Sequence, residues 1–112
     1  MKHLKQIPIF KGRVFRGVNY EPKCRVNDIL TFRSFLSTSI SKDKAIDFAK
    51  RKKTGGIRCL FEMEVEGGYP IRDFSVIQKE EEVLLEPFSE FKVLGIKFET
   101  IEEMKFKVLT MR

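Results

Sequence analysis

The chain has 112 residues and a mass of 13.2 kDa, enough for one domain, and its 42% apolar and 34% charged residues are too apolar a mix for a disordered chain. No apolar run approaches the ~20 residues of a membrane span, and residues 1–10 hold no continuous apolar stretch that would serve as a secretory signal. His3 is the only histidine, and Cys24 and Cys59 have no CxxC spacing, so a zinc site or a Cys–His catalytic pair has almost nothing to be built from.

Arg13 to Val18 (RVFRGV) reads as a strand, followed by Ile29 to Phe32 (ILTF) and Phe35 to Ile40 (FLSTSI). Ser41 is the expected N-cap of a helix over Lys42 to Lys53, with Ala45, Phe48 and Ala49 on one face and Gly55 as its terminator. From Arg58 to Glu66, Phe61, Met63 and Val65 alternate with Glu62, Glu64 and Glu66, the pattern of a half-buried strand, and Gly67-Gly68 is expected to turn it. Strands over Glu82 to Leu85, Phe91 to Phe98 and Met104 to Leu109 complete the chain. In the last, Met104, Phe106 and Val108 alternate with Lys105 and Lys107. The sum is an α+β fold, mainly antiparallel, with about seven strands in two packed sheets and one or two helices. Two reduced, partly buried thiols are expected, because a disulfide scaffold would be denser in cysteine.

The net charge of +6 is unevenly spread. Residues 1–58 carry 15 Lys and Arg against 4 Asp and Glu, whereas residues 59–112 carry 7 against 12. Such asymmetry suggests an anionic partner on one side and carboxylate chemistry on the other.

Three places break the strand pattern. Arg16 shares a face with Val14 and Val18, and a cation pointing inward needs an anion. Gly17 beside it would let a ligand approach the backbone. Ser37 and Ser39 share a face with Phe35, and Thr38 takes the other face with Leu36 and Ile40. Neither serine has a plausible histidine base, so a hydrolase triad is excluded and the hydroxyls are left to orient another group. Glu80 and Glu82 fall on one face of a strand beginning near Glu80, where two carboxylates repel unless a cation or hydroxyl relieves them. Taken singly, each break has an ordinary reading: an edge-strand arginine, a Ser/Thr-rich edge strand, a solvated acidic loop.

In this order, FRGV at Phe15–Val18, FRSFLSTS at Phe32–Ser39 and EEEVLLEP at Glu80–Pro87 resemble the Arg–Ser–Glu class of mono-ADP-ribosyltransferases, in its arginine-specific branch. NDILTF before the serine strand, IRDFS at Ile71–Ser75 and FKV at Phe91–Val93 are similar to further family segments, so the resemblance covers roughly residues 13–110. Asn27 stands where the family commonly has glycine, and Glu86 where it commonly has proline.

The resemblance implies NAD as co-substrate, no metal, and a target protein arginine as acceptor, with NAD hydrolysis as a side reaction. It implies that Arg16 holds the NAD diphosphate, that the Gly17 backbone meets the nicotinamide amide, and that Ser37, Thr38 and Ser39 line the dinucleotide. It implies that Ser37 orients Glu82, that Glu82 stabilises the charge developing as nicotinamide leaves, and that Glu80 positions the guanidinium and takes its proton. Arg72 to Lys79 would be the substrate loop, with Phe74 and Ser75 as its contacts. The chain is then expected to be a single domain over residues 1–112 lacking the family's N-terminal helical lobe. It is also expected to be monomeric and, unless it is a piece of a secreted protein, cytoplasmic. A catalytically weak binding module that recognises an acidic partner is the alternative. Nucleic acid is not an expected partner, since no recognised motif is present and the aromatics sit at core periods. Either reading requires the three motifs to converge on one cleft.

Overall fold

The computed structural model describes residues 10–51, 57–70 and 82–112. Seven strands and one helix occupy them: β1 (Phe10–Val18), β2 (Ile29–Phe32), β3 (Leu36–Ser39), α1 (Lys42–Lys50), β4 (Arg58–Pro70), β5 (Glu82–Leu85), β6 (Ser89–Ile101) and β7 (Met104–Met111). The strands form a mixed sheet in the order β1-β3-β5-β4-β7-β6-β2. Only β4–β7 is parallel; the other pairings are antiparallel. Because β1 also pairs with β4, the strands β1, β3, β5 and β4 close a ring, and the expected packing of sheet on sheet is met by one sheet that doubles back on itself.

Alternation divides the side chains between two cores. One face collects Val14, Val18, Leu36, Cys59, Phe61, Met63, Val83, Leu85, Val93, Leu109 and Met111. The opposite face of the same strands presents Leu60, Phe106 and Val108 to Ala45, Ile46 and Ala49 of α1. The central strands β4 and β7 are therefore covered on both sides. This overturns the simple alternation expected of β7, because Lys107 is buried, with 6% of its surface exposed, beside Phe106, Val108 and Leu109.

Helix α1 starts where its cap dictates. The Ser41 hydroxyl accepts the Lys44 backbone N–H at 3.2 Å, and Asp43 and Lys50 complement the helix dipole in the first and last turns. The helix ends at Lys50, three residues short of the expected Lys53, with Arg51 as its C-cap; Gly55 lies outside the described residues. Its buried face is Ala45, Ile46 and Ala49. Phe48 points outward instead, 55% exposed, with the Arg51 guanidinium 5.4 Å from its ring centre. Two further expectations are corrected. Gly67-Gly68 do not turn the chain but lie inside β4, with Gly68 opposite Phe10 and Tyr69 opposite Leu84. The bend that precedes β2 uses Asn27 at φ 79°, a left-handed conformation that glycine adopts freely and asparagine tolerates, which accounts for the exchange at this position.

Both cysteines are free thiols. Cys24 is half-buried, and burial pushes the fully enclosed Cys59 thiol up from its ordinary 9.0 to about 12, against a smaller opposing pull from Lys107. No helix among the described residues is long and apolar enough to cross a membrane, and no group of three His, Cys, Asp or Glu among them could hold a metal ion.

A Cβ added at Gly17 would sit 1.8 Å from the Ala45 carbonyl oxygen of α1, so Gly17→Ala should lower unfolding stability by about 1–3 kcal/mol in a urea titration. Iodoacetamide at about pH 8.5 should alkylate Cys24 and leave Cys59 untouched until denaturant is added. Because the folded state keeps the Cys59 proton that the unfolded chain releases, this thiol's contribution to stability should decline as pH rises from 9.0 toward about 12.

Candidate active site

Arg16 lies near the end of β1, opposite Phe61 of β4, on the face that carries Val14 and Val18. The pairing of β1 with β3 is anchored at Phe15 opposite Ser39. Just beyond that point the Arg16 guanidinium crosses to β3, where Nη1 donates to the Ser37 carbonyl at 2.8 Å. Arg16 Nε is buried without a hydrogen-bond partner among the described residues. An unsatisfied charged donor is costly to keep, and an anion partner would satisfy it.

Strands β3 and β5 run antiparallel with Ser37 opposite Leu84, Thr38 opposite Val83 and Ser39 opposite Glu82. This register puts Ser37, Ser39 and Glu82 on one face, and the Ser37 hydroxyl donates to Glu82 Oε2 at 2.5 Å. A charge-assisted bond of that length holds the carboxylate in one orientation. The hydroxyl that could relieve a glutamate on this face is thus supplied by β3. Thr38 does something different. It is 3% exposed and donates its hydroxyl to the Val83 carbonyl at 2.6 Å, so its side chain belongs to the β3–β5 core and not to the open face. Ser39 is also engaged, its Oγ accepting the Ser41 backbone N–H at 3.0 Å and so tying the end of β3 to the start of α1.

Gly17 has a reason to be glycine that the sequence did not reveal. The backbone of α1 fills the space where its Cβ would go, so the residue permits close helix packing directly behind the Arg16 strand. Glu80, Phe74, Ser75 and the segment Arg72 to Lys79 lie outside the described residues.

The three motifs therefore converge, through a chain of contacts from Arg16 to Ser37 to Glu82. They do so on an accessible sheet face. A cleft of about 820 Å³ lies elsewhere, toward the start of β1, lined by Lys11, Glu64, Glu66, Glu86, Glu90 and Arg112 among others. Along β1 the step from Lys11 to Arg16 is roughly 16 Å at ~3.3 Å per residue, so the cleft is separate from the Arg16 site.

Sequence reasoning missed two buried cationic groups. Lys44 Nζ, on α1, is buried without a partner among the described residues, and Lys107 is buried on β7. Both belong to stretches in which lysines read as the polar half of an amphipathic pattern.

Thr38→Val should cost about 1–2 kcal/mol of stability, because the Val83 carbonyl loses a buried donor. Ser37→Ala, on the accessible face, should change it by less than about 0.5 kcal/mol. Urea unfolding of the two variants side by side checks the contrast; equal losses would place both hydroxyls in the same environment.

Comparison with known proteins places the chain in a family. The family described as NAD:arginine ADP-ribosyltransferase matches residues 2–108. The chain is 40% identical over 83 residues to ecto-ADP-ribosyltransferase 5 of Homo sapiens, an overlap of 71% of this chain and 26% of that protein. It is 31% identical over 106 residues to the Vibrio splendidus (strain 12B01) protein named putative NAD(+)--arginine ADP-ribosyltransferase Vis, covering 84% of this chain and 41% of that one. The crystal structure of ADP-ribosyltransferase Vis in complex with agmatine superposes with a TM-score of 0.71 at 28% identity, over 99% of this chain and 54% of the Vis chain. The chain thus spans about a quarter of its human relative and under half of the curated bacterial one.

Proposed function

Since the chain belongs to the NAD:arginine ADP-ribosyltransferase family, we propose that it transfers ADP-ribose from NAD to arginine side chains of a protein target, with NAD hydrolysis as a side reaction. The observation that carries this reading is the Ser37–Glu82 hydrogen bond beside the unsatisfied Arg16 Nε: an oriented carboxylate and a free cationic donor on one face. Bound NAD would supply the ADP-ribosyl group, through cleavage of the bond between its ribose and nicotinamide.

The chain's own residues divide the work. Arg16 holds the diphosphate through the guanidinium donors that it does not spend on Ser37. Gly17, next to Arg16 on β1, offers its backbone to the nicotinamide amide. Ser37 fixes Glu82 by its hydroxyl, and Ser39 braces the same strand. Glu82 presents fixed negative charge where positive charge develops on the ribose, which is catalysis by a preorganised electrostatic environment. Glu80 receives the proton of the incoming guanidinium, which at a pKa above ~12 is a poor nucleophile until it loses one. Phe74 and Ser75 belong to the segment that meets the target. Agmatine, the guanidine seen with Vis, is a natural test acceptor here.

Incubation with NAD and agmatine, followed by chromatography of nicotinamide and ADP-ribosyl-agmatine, tests the assignment. Glu82→Gln should abolish both transfer and NAD hydrolysis, a loss of about a hundredfold or more. Glu80→Gln should reduce transfer far more than hydrolysis, because water needs no proton removed from a guanidinium. Turnover by Glu82→Gln equal to that of the unaltered protein would rule the assignment out.

A further inference from the structure

Lys107 is the one charged residue among the described residues that is buried as a whole. It sits in the middle of β7 opposite Cys59 of β4, which in turn faces Val18 at the end of β1. Its ammonium donates to the Pro22 carbonyl at 3.0 Å and lies 3.4 Å from Glu21 Oε2. Both partners belong to residues 19–28, the connector from β1 to β2, which leaves β1 two residues after Arg16. Farther along, this connector is fastened to β6, with Asn27 N–H donating to the Val93 carbonyl at 2.7 Å and Val93 N–H to the Asp28 carbonyl at 2.8 Å. Among the described residues, Lys107 therefore makes the connector's hydrogen bond nearest to Arg16.

Stability alone does not account for the lysine. Removing two charges from water offsets most of what a buried pair gains, and an apolar side chain of similar volume commonly serves as well. What a directed ammonium adds is a fixed location for the atoms it touches. We infer that Lys107 is a positioning residue for the dinucleotide site: by tethering Glu21 and the Pro22 carbonyl, it fixes the path of the connector as it departs from Arg16 and sets the affinity for NAD. The inference rests on the reading of Arg16 as the holder of the diphosphate. The tether touches neither Ser37 nor Glu82, so it acts on binding and leaves the chemical step alone.

Lys107→Met keeps the volume of the side chain, and Glu21, with 31% of its side chain exposed, can turn to water once the ammonium is gone. The variant should fold. Hydrogen exchange of amides 19–28 should accelerate about tenfold while β4 and β7 remain protected. The KM for NAD, with agmatine as acceptor, should rise about tenfold with kcat within about twofold, and Lys107→Arg should recover part of the affinity. Should Lys107→Met fold poorly, the double variant Lys107→Met, Glu21→Gln removes both charges and carries the same expectations. If exchange over 19–28 or the KM is unchanged while the unaltered protein is active, this inference alone falls. An unaltered protein that binds no NAD overturns it together with the proposed function.

Discussion

Everything at this site depends on the register between β3 and β5. A strand alternates its faces, so a slip of one residue would bury Ser37 and turn Thr38 outward. The register is secured by the residue in between. Thr38 is buried and its hydroxyl is bonded to Val83 across the pair, which leaves Ser37 no choice but the open face and brings its hydroxyl to Glu82. Leu36 and Leu85, opposite each other and both buried, reinforce the same alignment. A buried threonine between two outward serines is thus a device for aiming a carboxylate. The functional bond is made by Ser37, but its geometry is determined by its neighbour.

A second constraint acts through the helix. Gly17 lets the backbone of α1 lie against β1, and Ser39 and Ser41 join the end of β3 to the start of the same helix. Arg58 closes the other end, its Nε donating to the Ala49 carbonyl at 3.1 Å. The strand carrying Arg16 and the strand carrying Ser37 are consequently braced against one element. The guanidinium that spans them is held by packing before any ligand arrives, and little ordering remains to be done on binding.

Much of this was legible because the relevant strands are short and half-buried, the case in which period-two reasoning works. The bounds of β2 and β5 coincide with the mostly apolar runs ILTF and EVLL, and the division of β3 into Ser37 and Thr38 faces follows from alternation. The failures share a cause. Lys107 and Phe48 were misread because β7 is covered on both faces and α1 buries a narrow stripe of small residues, so polarity no longer reports direction. Gly67-Gly68 suggested a turn, since the pairing that keeps β4 extended comes from β1 and β5, distant in sequence. Gly17 invited a ligand-based explanation because no local pattern announces a helix arriving from thirty residues away.

The charge asymmetry also changes meaning once folded. The basic first half and acidic second half are laid against each other, with Arg13 3.6 Å from Glu64, Lys42 3.8 Å from Glu62 and Lys50 2.9 Å from Glu102. Such pairs near the surface contribute little stability, but they lower the field that the first half would otherwise project. An anion approaching the protein therefore meets, at Arg13, Lys42 and Lys50, cations that already face a carboxylate. The Arg16 guanidinium bonds, through Nη1, the strand that aims Glu82, while its Nε is left without a partner among the described residues. In the proposed reaction, diphosphate binding and carboxylate placement are coupled through this one residue.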